Sequence, residues 1–415
     1  MLLMPSASPP SVAPPARELR RARFAVAALF LTNGALFANL IPRYPGIKAG
    51  LGADNAVYGL AIAAFPTGAI VAGLAAAPII RRLGSARTAA IGTLLTAAGT
   101  VAAASAPSLP TFAVVLFLAG AADAITDVGQ NTHGLRVQRR YGRSIINSFH
   151  AIWSIGAVLG GSMAAGAIAL GLPAPVHLAV SATIFSVVAL VALRFCLPGR
   201  DTDAAAANDT GLSAAGTRPR PSLRLVLTVG ALVLIAMSGT LVEDAGSTWG
   251  AIYLSSDLGA PQAVAAAGFV ALVGAQFVGR LLGDRMVDRF GQRAVARTGG
   301  AITVVGMGAA LLAPSVPTTI AGFAAAGLGV ATLVPAAMHE ADELPGLRAG
   351  TGLTVVSWLM RLGFLASPPI VGLVADHVSL RAGLLVVPLA GLVAFALAGV
   401  LSGRRSVVAP EPVRA

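Results

Sequence analysis

One cysteine, one lysine and very little charge are the first features of this sequence. A single cysteine, Cys196, cannot form an intrachain disulfide or a cysteine-based metal site. Next to an apolar run it reads as a small buried residue. The lone lysine, Lys48, is followed by Ala49, so there is no glycine-rich loop ending in lysine and a hydroxyl residue to hold phosphates. That excludes an ATP-driven pump built on this chain alone. Aromatic residues make up 5%, and no basic groove interleaved with aromatics is visible, so a net charge of +12 does not point to nucleic acid. His339-Glu340-Ala341-Asp342-Glu343 lacks the second histidine of a zinc-protease helix. No metal and no cofactor are expected. Charged residues are 11% of 415, far too few to cover a soluble protein of this length.

What the sequence has is apolar length. Hydrophobic residues are 56% of the chain and fall in runs of about 18–25, long enough to cross a bilayer as helix. Twelve such spans are read at roughly 24–41, 57–80, 88–105, 111–132, 145–170, 174–196, 223–253, 263–283, 294–313, 317–338, 351–375 and 381–402. Of 29 basic residues, 25 fall in alternate loops or at the two ends, three in the opposite loops and one, Arg361, inside a span. The basic loops carry Arg81, Arg82 and Arg87; Arg136, Arg139, Arg140 and Arg143; and Arg285, Arg289, Arg293 and Arg297. This is the positive-inside pattern. It predicts a multi-pass protein of the cytoplasmic (inner) membrane with both termini in the cytoplasm. Residues 1–23 are expected to form a disordered basic tail, 24–197 one six-helix half, 198–222 a cytoplasmic linker, 223–402 a second half and 403–415 a cytoplasmic tail.

The halves look related. Ala106-Pro107-Ser108-Leu109-Pro110-Thr111 returns as Ala313-Pro314-Ser315-Val316-Pro317-Thr318, an offset of 207 residues. The same offset superimposes Gly84 on Gly291, Gly92 on Gly299, Gly99 on Gly306, Gly120 on Gly327 and Gly156 on Gly363. Two halves of like orientation, related by an axis along the membrane normal, are a recurring transporter design. The predicted fold class is an all-α membrane protein of twelve transmembrane helices in two parallel six-helix pseudo-repeats.

Between the eighth and ninth spans runs Gly279-Arg280-Leu281-Leu282-Gly283-Asp284-Arg285-Met286-Val287-Asp288-Arg289-Phe290-Gly291-Gln292-Arg293. Asp288, Arg289, Gly291 and Arg293 match the acid, base, glycine and base of the loop signature of the major facilitator superfamily, which this chain resembles over essentially its whole length. Asp284 stands where that family usually has its leading glycine. The first-half copy, Arg81-Arg82-Leu83-Gly84, has Arg81 in place of the acid. The resemblance implies the major facilitator fold and a loop, including Gly283 and Arg285, that latches the cytoplasmic side in one transport state. The competing reading is that the arginines only hold the loop inside. Tyr141 to Gly156, together with Asn131 and Trp249-Gly250-Ala251-Ile252-Tyr253-Leu254, resembles a bacterial subgroup akin to fucose permease-like members. It transfers no substrate.

Charge inside a span is costly, about 2.5–3.5 kcal/mol on insertion scales, so such groups face a cavity or a partner. Asp123 and Asp127 lie one turn apart on one face of the fourth span, with Asn131 a turn further. Counted from residue 111, Asp123 lies roughly 18 Å deep by helical rise. Two carboxyls this close in a low-dielectric setting resist being ionised together. Asp123 is therefore a candidate proton carrier, against the plainer reading of a structural carboxylate paired with a base; for Asp127 the structural reading is favoured. Arg361 keeps its proton and must find an anion, either an acidic side chain such as Asp123, Glu243, Asp244 or Glu340, or an anionic substrate. Glu243 and Asp244 are read near the outer end of the seventh span. His150, Trp153 and Trp358 could titrate or stack, but packing explains them as well. Asn33, Asn39 and Gln276 are uncharged hydrogen-bonding candidates.

The expected function is secondary active transport of a small solute by alternating access, with protons as the coupling ion and the lipid bilayer as surroundings. The protein is expected to work as a monomer. A drug or metabolite efflux antiporter of the same fold and a non-transporting membrane receptor are the alternatives. A membrane enzyme would need clustered His, Asp or Ser at a membrane surface, and only scattered polar residues are found.

Overall fold

A computed structural model describes residues 16–73, 75–142, 145–199, 222–345, 347 and 351–403. All regular structure among them is helical. The first half contains α1 (Ala16–Leu40), α2 (Tyr44–Leu51), α3 (Asn55–Ile62), α4 (Ala64–Gly73), α5 (Ala76–Leu83), α6 (Ser85–Ala104), α7 (Leu109–Tyr141), α8 (Ile146–Ala169) and α9 (Ala174–Phe195). The second contains α10 (Leu223–Ile252), α11 (Gln262–Phe290), α12 (Gln292–Leu312), α13 (Val316–Val330), α14 (Leu333–Asp342), α15 (Thr351–Leu359), α16 (Arg361–His377), α17 (Leu380–Gly383) and α18 (Val386–Leu397).

Eleven helical runs are long and apolar enough to cross a membrane. The twelfth span is α6, made less apolar by four threonines. Thr88, Thr93 and Thr100 turn their hydroxyls back onto the carbonyls of Gly84, Ala89 and Ala97, which suits them to a membrane helix. Several spans are broken. The second is built from α3, α4 and α5, and the eleventh is interrupted at Met360 between α15 and α16. α7 runs on to Tyr141, so Asn131 is mid-helix and not in a loop.

The repeated hexapeptide is a helix start used twice. Ser108 and Ser315 are N-caps with φ/ψ of −153/159° and −151/161°, and each side chain accepts from the threonine amide three residues on. The glycine pairs recur as contacts too. A Cβ on Gly120 would strike the Phe65 carbonyl, and one on Gly327 the Leu272 carbonyl, the partners themselves lying 207 residues apart. Gly84 and Gly291 both turn the chain at φ 83° and 82°, a region that favours glycine. The duplication is thus present in torsions and in packing.

Residues 17–23, read as part of the N-terminal tail, are helical. α1 begins at Ala16, so Arg17, Arg20, Arg21 and Arg23 form its first turns. Residues 1–15, Arg143, most of the linker (200–221) and most of the C-terminal tail (404–415) lie outside the described residues. The ends of the halves gather on one face, called here the basic face. There Arg136 at the end of α7 bonds the carbonyls of Leu197 and Gly199, and Arg293 bonds that of Leu401. Cys196 is half-buried beside Ala25 and Leu29 at this face, and burial pushes its thiol up to about 12.

At the opposite face the halves close on each other. Gly59 on α3 lies so near α16 that a Cβ would meet the Pro368 carbonyl, and one on Gly372 would meet that of Asn55. Over this contact Asp376 of the second half caps α3 of the first. Its carboxylate accepts from the Asn55 amide (3.0 Å), the Asn55 side chain (2.8 Å) and the Ala56 amide (2.7 Å). Asp54, the residue placed to cap α3 itself, makes no such bond.

Candidate functional site

α7 supplies the first-half part of the site because its polar residues recur every three or four positions, on one face. Asp123 accepts a hydrogen bond from Asn33 Nδ2 of α1 at 2.7 Å. Asn33 Oδ1 in turn accepts from Trp153 Nε1 of α8 at 2.8 Å and from Gln130 Nε2 at 3.4 Å. Gln130 Nε2 also reaches Asp127 Oδ1 at 3.3 Å, and Asn131 Nδ2 donates to the same oxygen at 2.9 Å. Three helices are thereby tied around two carboxyls by neutral amides and an indole. None of these donors is a cation.

The second half contributes a different set. Glu243 on α10 accepts from Gln276 Nε2 of α11 at 2.7 Å. One turn further along α11, Arg280 pairs with the same carboxylate at 3.6 Å, and its Nη1 reaches Ser154 Oγ of the first half at 3.5 Å. The Arg280 side chain is 36% exposed, which leaves it open as well as paired. Arg361 opens α16 immediately after the break at Met360, whose carbonyl accepts from Thr240 Oγ1 at 2.9 Å. Arg361 is half-buried and forms no hydrogen bond or ion pair with any described residue. Its charge acts on Asp123 of the first half without contact.

Other expected residues are placed as follows. Glu243 and Asp244 are not near the end of their span. α10 runs on through a π-helical turn, Tyr253–Asp257, so the continuous run is 35 residues and both acids fall close to its middle. Asp244 faces Tyr44 of the first half, beside Ser367 and Thr248, and its Oδ2 is enclosed without a partner. His150 is exposed, sets its ring edge-on to Phe30 at 5.2 Å, and lies within the fields of both Asp127 and Arg280. Asn39 is apart from this group. It donates to Ala35 O and pairs with His177 at 2.9 Å, which Arg43 also contacts. Trp358 is 53% exposed on α15 and makes no hydrogen bond among the described residues.

In the signature loop, Gly291 ends α11 and starts α12, with its amide on Val287 O at 2.7 Å. Gly283 packs against Thr332. Arg293 is used to tie α12 to the end of the chain, and Arg289 lies 5.4 Å from the ring of Phe290. Asp284, Arg285 and Asp288 are exposed, and neither acid forms a hydrogen bond or ion pair among the described residues.

Two site residues were missed from the sequence. Gln130 lies seven residues after Asp123, on its face, and that spacing was readable. Arg280 is one turn from Gln276, but it had been grouped with the arginines of the loop that follows.

Comparison with known proteins agrees with this architecture. Residues 26–285 and 233–414 match the profile of the Major Facilitator Superfamily. An uncharacterised transporter of Sinorhizobium fredii, y4wD, is 30% identical over 379 residues, covering 91% of this chain and 97% of that protein. The membrane protein MosC of Rhizobium meliloti is 30% identical over 388 residues, covering 94% and 92%. Among solved structures, the nucleoside transporter NupG superimposes with a TM-score of 0.69 at 14% identity, covering 91% of this chain and 98% of its own. The xylose transporter XylE of E. coli, in an inward-open conformation, does so with 0.70 at 13% identity, covering 94% and 98%. At such identity these structures bear on the fold alone.

Proposed function

We propose that this chain, which belongs to the Major Facilitator Superfamily and is a multi-pass membrane transporter, carries a small polar solute by alternating access and couples that movement to protons through Asp123. The observation that carries the reading is that ionisable side chains of the two halves lie within electrostatic reach of one another, on helices long enough to span a membrane. Asp123 and Asp127 come from one half, and Glu243, Arg280 and Arg361 from the other. A group of this kind in a membrane is expensive, and it marks a solute or ion pathway.

The closed face supports alternating access. Asp376 and the glycine contacts of α3 with α16 seal the side opposite the arginines. The signature acids on the arginine side stand unpaired. The positive-inside distribution supports assigning the arginine side to the cytoplasm, so this state would be open inward. Rocking the halves about the central site would break the Asp376 cap and bring the signature loop into use. The polar lining supports a polar solute over a hydrophobic drug.

Asp123 is suited to carry a proton because its partner in the network is a neutral amide. Asn33 can hydrogen-bond the carboxyl in either protonation state, once its own donors and acceptors are rearranged. Among the described residues no cation forms an ion pair with it; the Arg361 charge acts on it without contact.

The test is a screen for ligands that raise the melting temperature of the purified protein, followed by counterflow of each hit in liposomes. Exchange of a stabilising solute across the bilayer is the expected outcome. Ligands that stabilise but never exchange would favour the receptor reading.

A further inference from the structure

Arg361 is the one member of the central group that has no hydrogen-bond or ion-pair partner among the described residues. The sequence left it two ways to meet an anion: an acidic side chain, or a substrate. Among the described residues no acidic side chain forms an ion pair with Arg361. Glu243 is held by Gln276 and Arg280. Glu340 accepts from the Ser402 amide at 2.9 Å, at the basic face. Asp244 faces Tyr44, Ser367 and Thr248. Asp123 is held by Asn33 and feels the Arg361 charge without forming an ion pair with it.

The position of Arg361 fits a ligand group. The fork of a guanidinium takes a carboxylate in two parallel bonds. Asp123 offers acceptor capacity not taken up by Asn33, and Asp127 is bonded by amides at Oδ1 only. Arg361 can receive an anion, and the two carboxyls can accept hydrogen bonds.

From this we propose that the substrate is a small organic acid, its carboxylate bound by Arg361 and its hydroxyl or ammonium donors meeting Asp123 and Asp127. The inference rests on the transporter reading above and names the substrate class of the same site. A solute of this kind spans the two halves, so its binding energy depends on how closely they approach. That links occupancy to closure.

The test uses three acids, each matched with the alcohol that replaces its carboxylate: glucuronate with glucose, lactate with 1,2-propanediol, and β-alanine with 3-aminopropanol. Binding is measured on the purified full-length protein by thermal shift and calorimetry. The first and third pairs separate hydroxyl from ammonium donors. At least one acid should bind at least about tenfold more tightly than its alcohol. Arg361→Gln should remove that preference, and Arg361→Lys should keep part of it, which a general folding defect would not do. Equal binding of acid and alcohol, unchanged acid affinity in Arg361→Gln, or no binding by any of the acids would overturn the proposal. Counterflow keeps the two readings apart. An uncharged ligand that binds and exchanges leaves the transporter reading intact while the acid proposal falls. A bound acid that never exchanges across the bilayer removes the transporter reading.

Discussion

Replacing Asp376 with alanine should loosen the closed face without touching the central site. The carboxylate accepts three hydrogen bonds of 2.7–3.0 Å, two of them from the first amides of α3. It does the work of an N-cap, and it does so from the other half of the molecule. Capping side chains contribute about 1 kcal/mol, and a carboxylate at a helix N-terminus adds about 0.3–1 kcal/mol when solvent can screen it. Asp376 is exposed, so the lower part of that range applies. Its loss should shift the balance between the closed and open forms of this face by about 1–2 kcal/mol, a factor of roughly 5–30 in their ratio. Asp376→Asn keeps one acceptor and should fall between. The assay is a pulsed electron-spin distance measurement between labels at Ala49 and Val378, exposed positions on the two sides of the contact, in a Cys196→Ala background. The wild type should show mainly the short distance, and Asp376→Ala should gain a longer one. An unchanged distance distribution would refute the cap as a latch and leave it a local helix feature.

Three further outcomes follow from the packing and from the single thiol. Gly120→Ala and Gly327→Ala should each destabilise by about 1–3 kcal/mol, because the new Cβ meets a carbonyl of the facing helix. Gly230→Ala, with open space around it, should change stability by less than about 0.5 kcal/mol. Equal melting temperatures across the three variants would contradict the close packing at Gly120 and Gly327, and a loss at only one of those two would contradict the equivalence of the halves. Cys196, its thiol held at about 12 by burial, should resist maleimide at neutral pH and react readily once the protein is unfolded in detergent. Because only the thiolate reacts, labelling of the folded protein should speed up about tenfold per pH unit below that value; rapid labelling at pH 7 would show the site to be open.

Much of this architecture was readable from spacing. The hexapeptide at residues 106–111 and 313–318 encodes a cap, so serine, proline and threonine had to return together. Gly84 and Gly291 returned because each turn needs a positive φ. The shared face of Asp123, Asp127 and Asn131 followed from helical periodicity. Other features depend on contacts that no local pattern carries. Asp376 caps a helix 320 residues away in sequence. The interruption at Met360 has no proline or glycine at that residue; its carbonyl accepts from the Gly363 amide and also from the hydroxyl of Thr240, from α10. The depth of Glu243 was misjudged because the helix continues through Tyr253–Asp257. Arg280 looked like part of a basic loop because the sequence does not mark where α11 leaves the membrane.

The central claim is that Asp123 couples solute movement to protons. It is tested most directly by loading a solute that binds and exchanges into proteoliposomes and imposing a pH gradient on the wild type and on Asp123→Asn. The wild type should accumulate solute beyond equilibrium along the proton gradient. Asp123→Asn should still exchange the solute but should only equilibrate it, with the pH dependence gone. Gradient-driven accumulation that survives in Asp123→Asn would contradict the account.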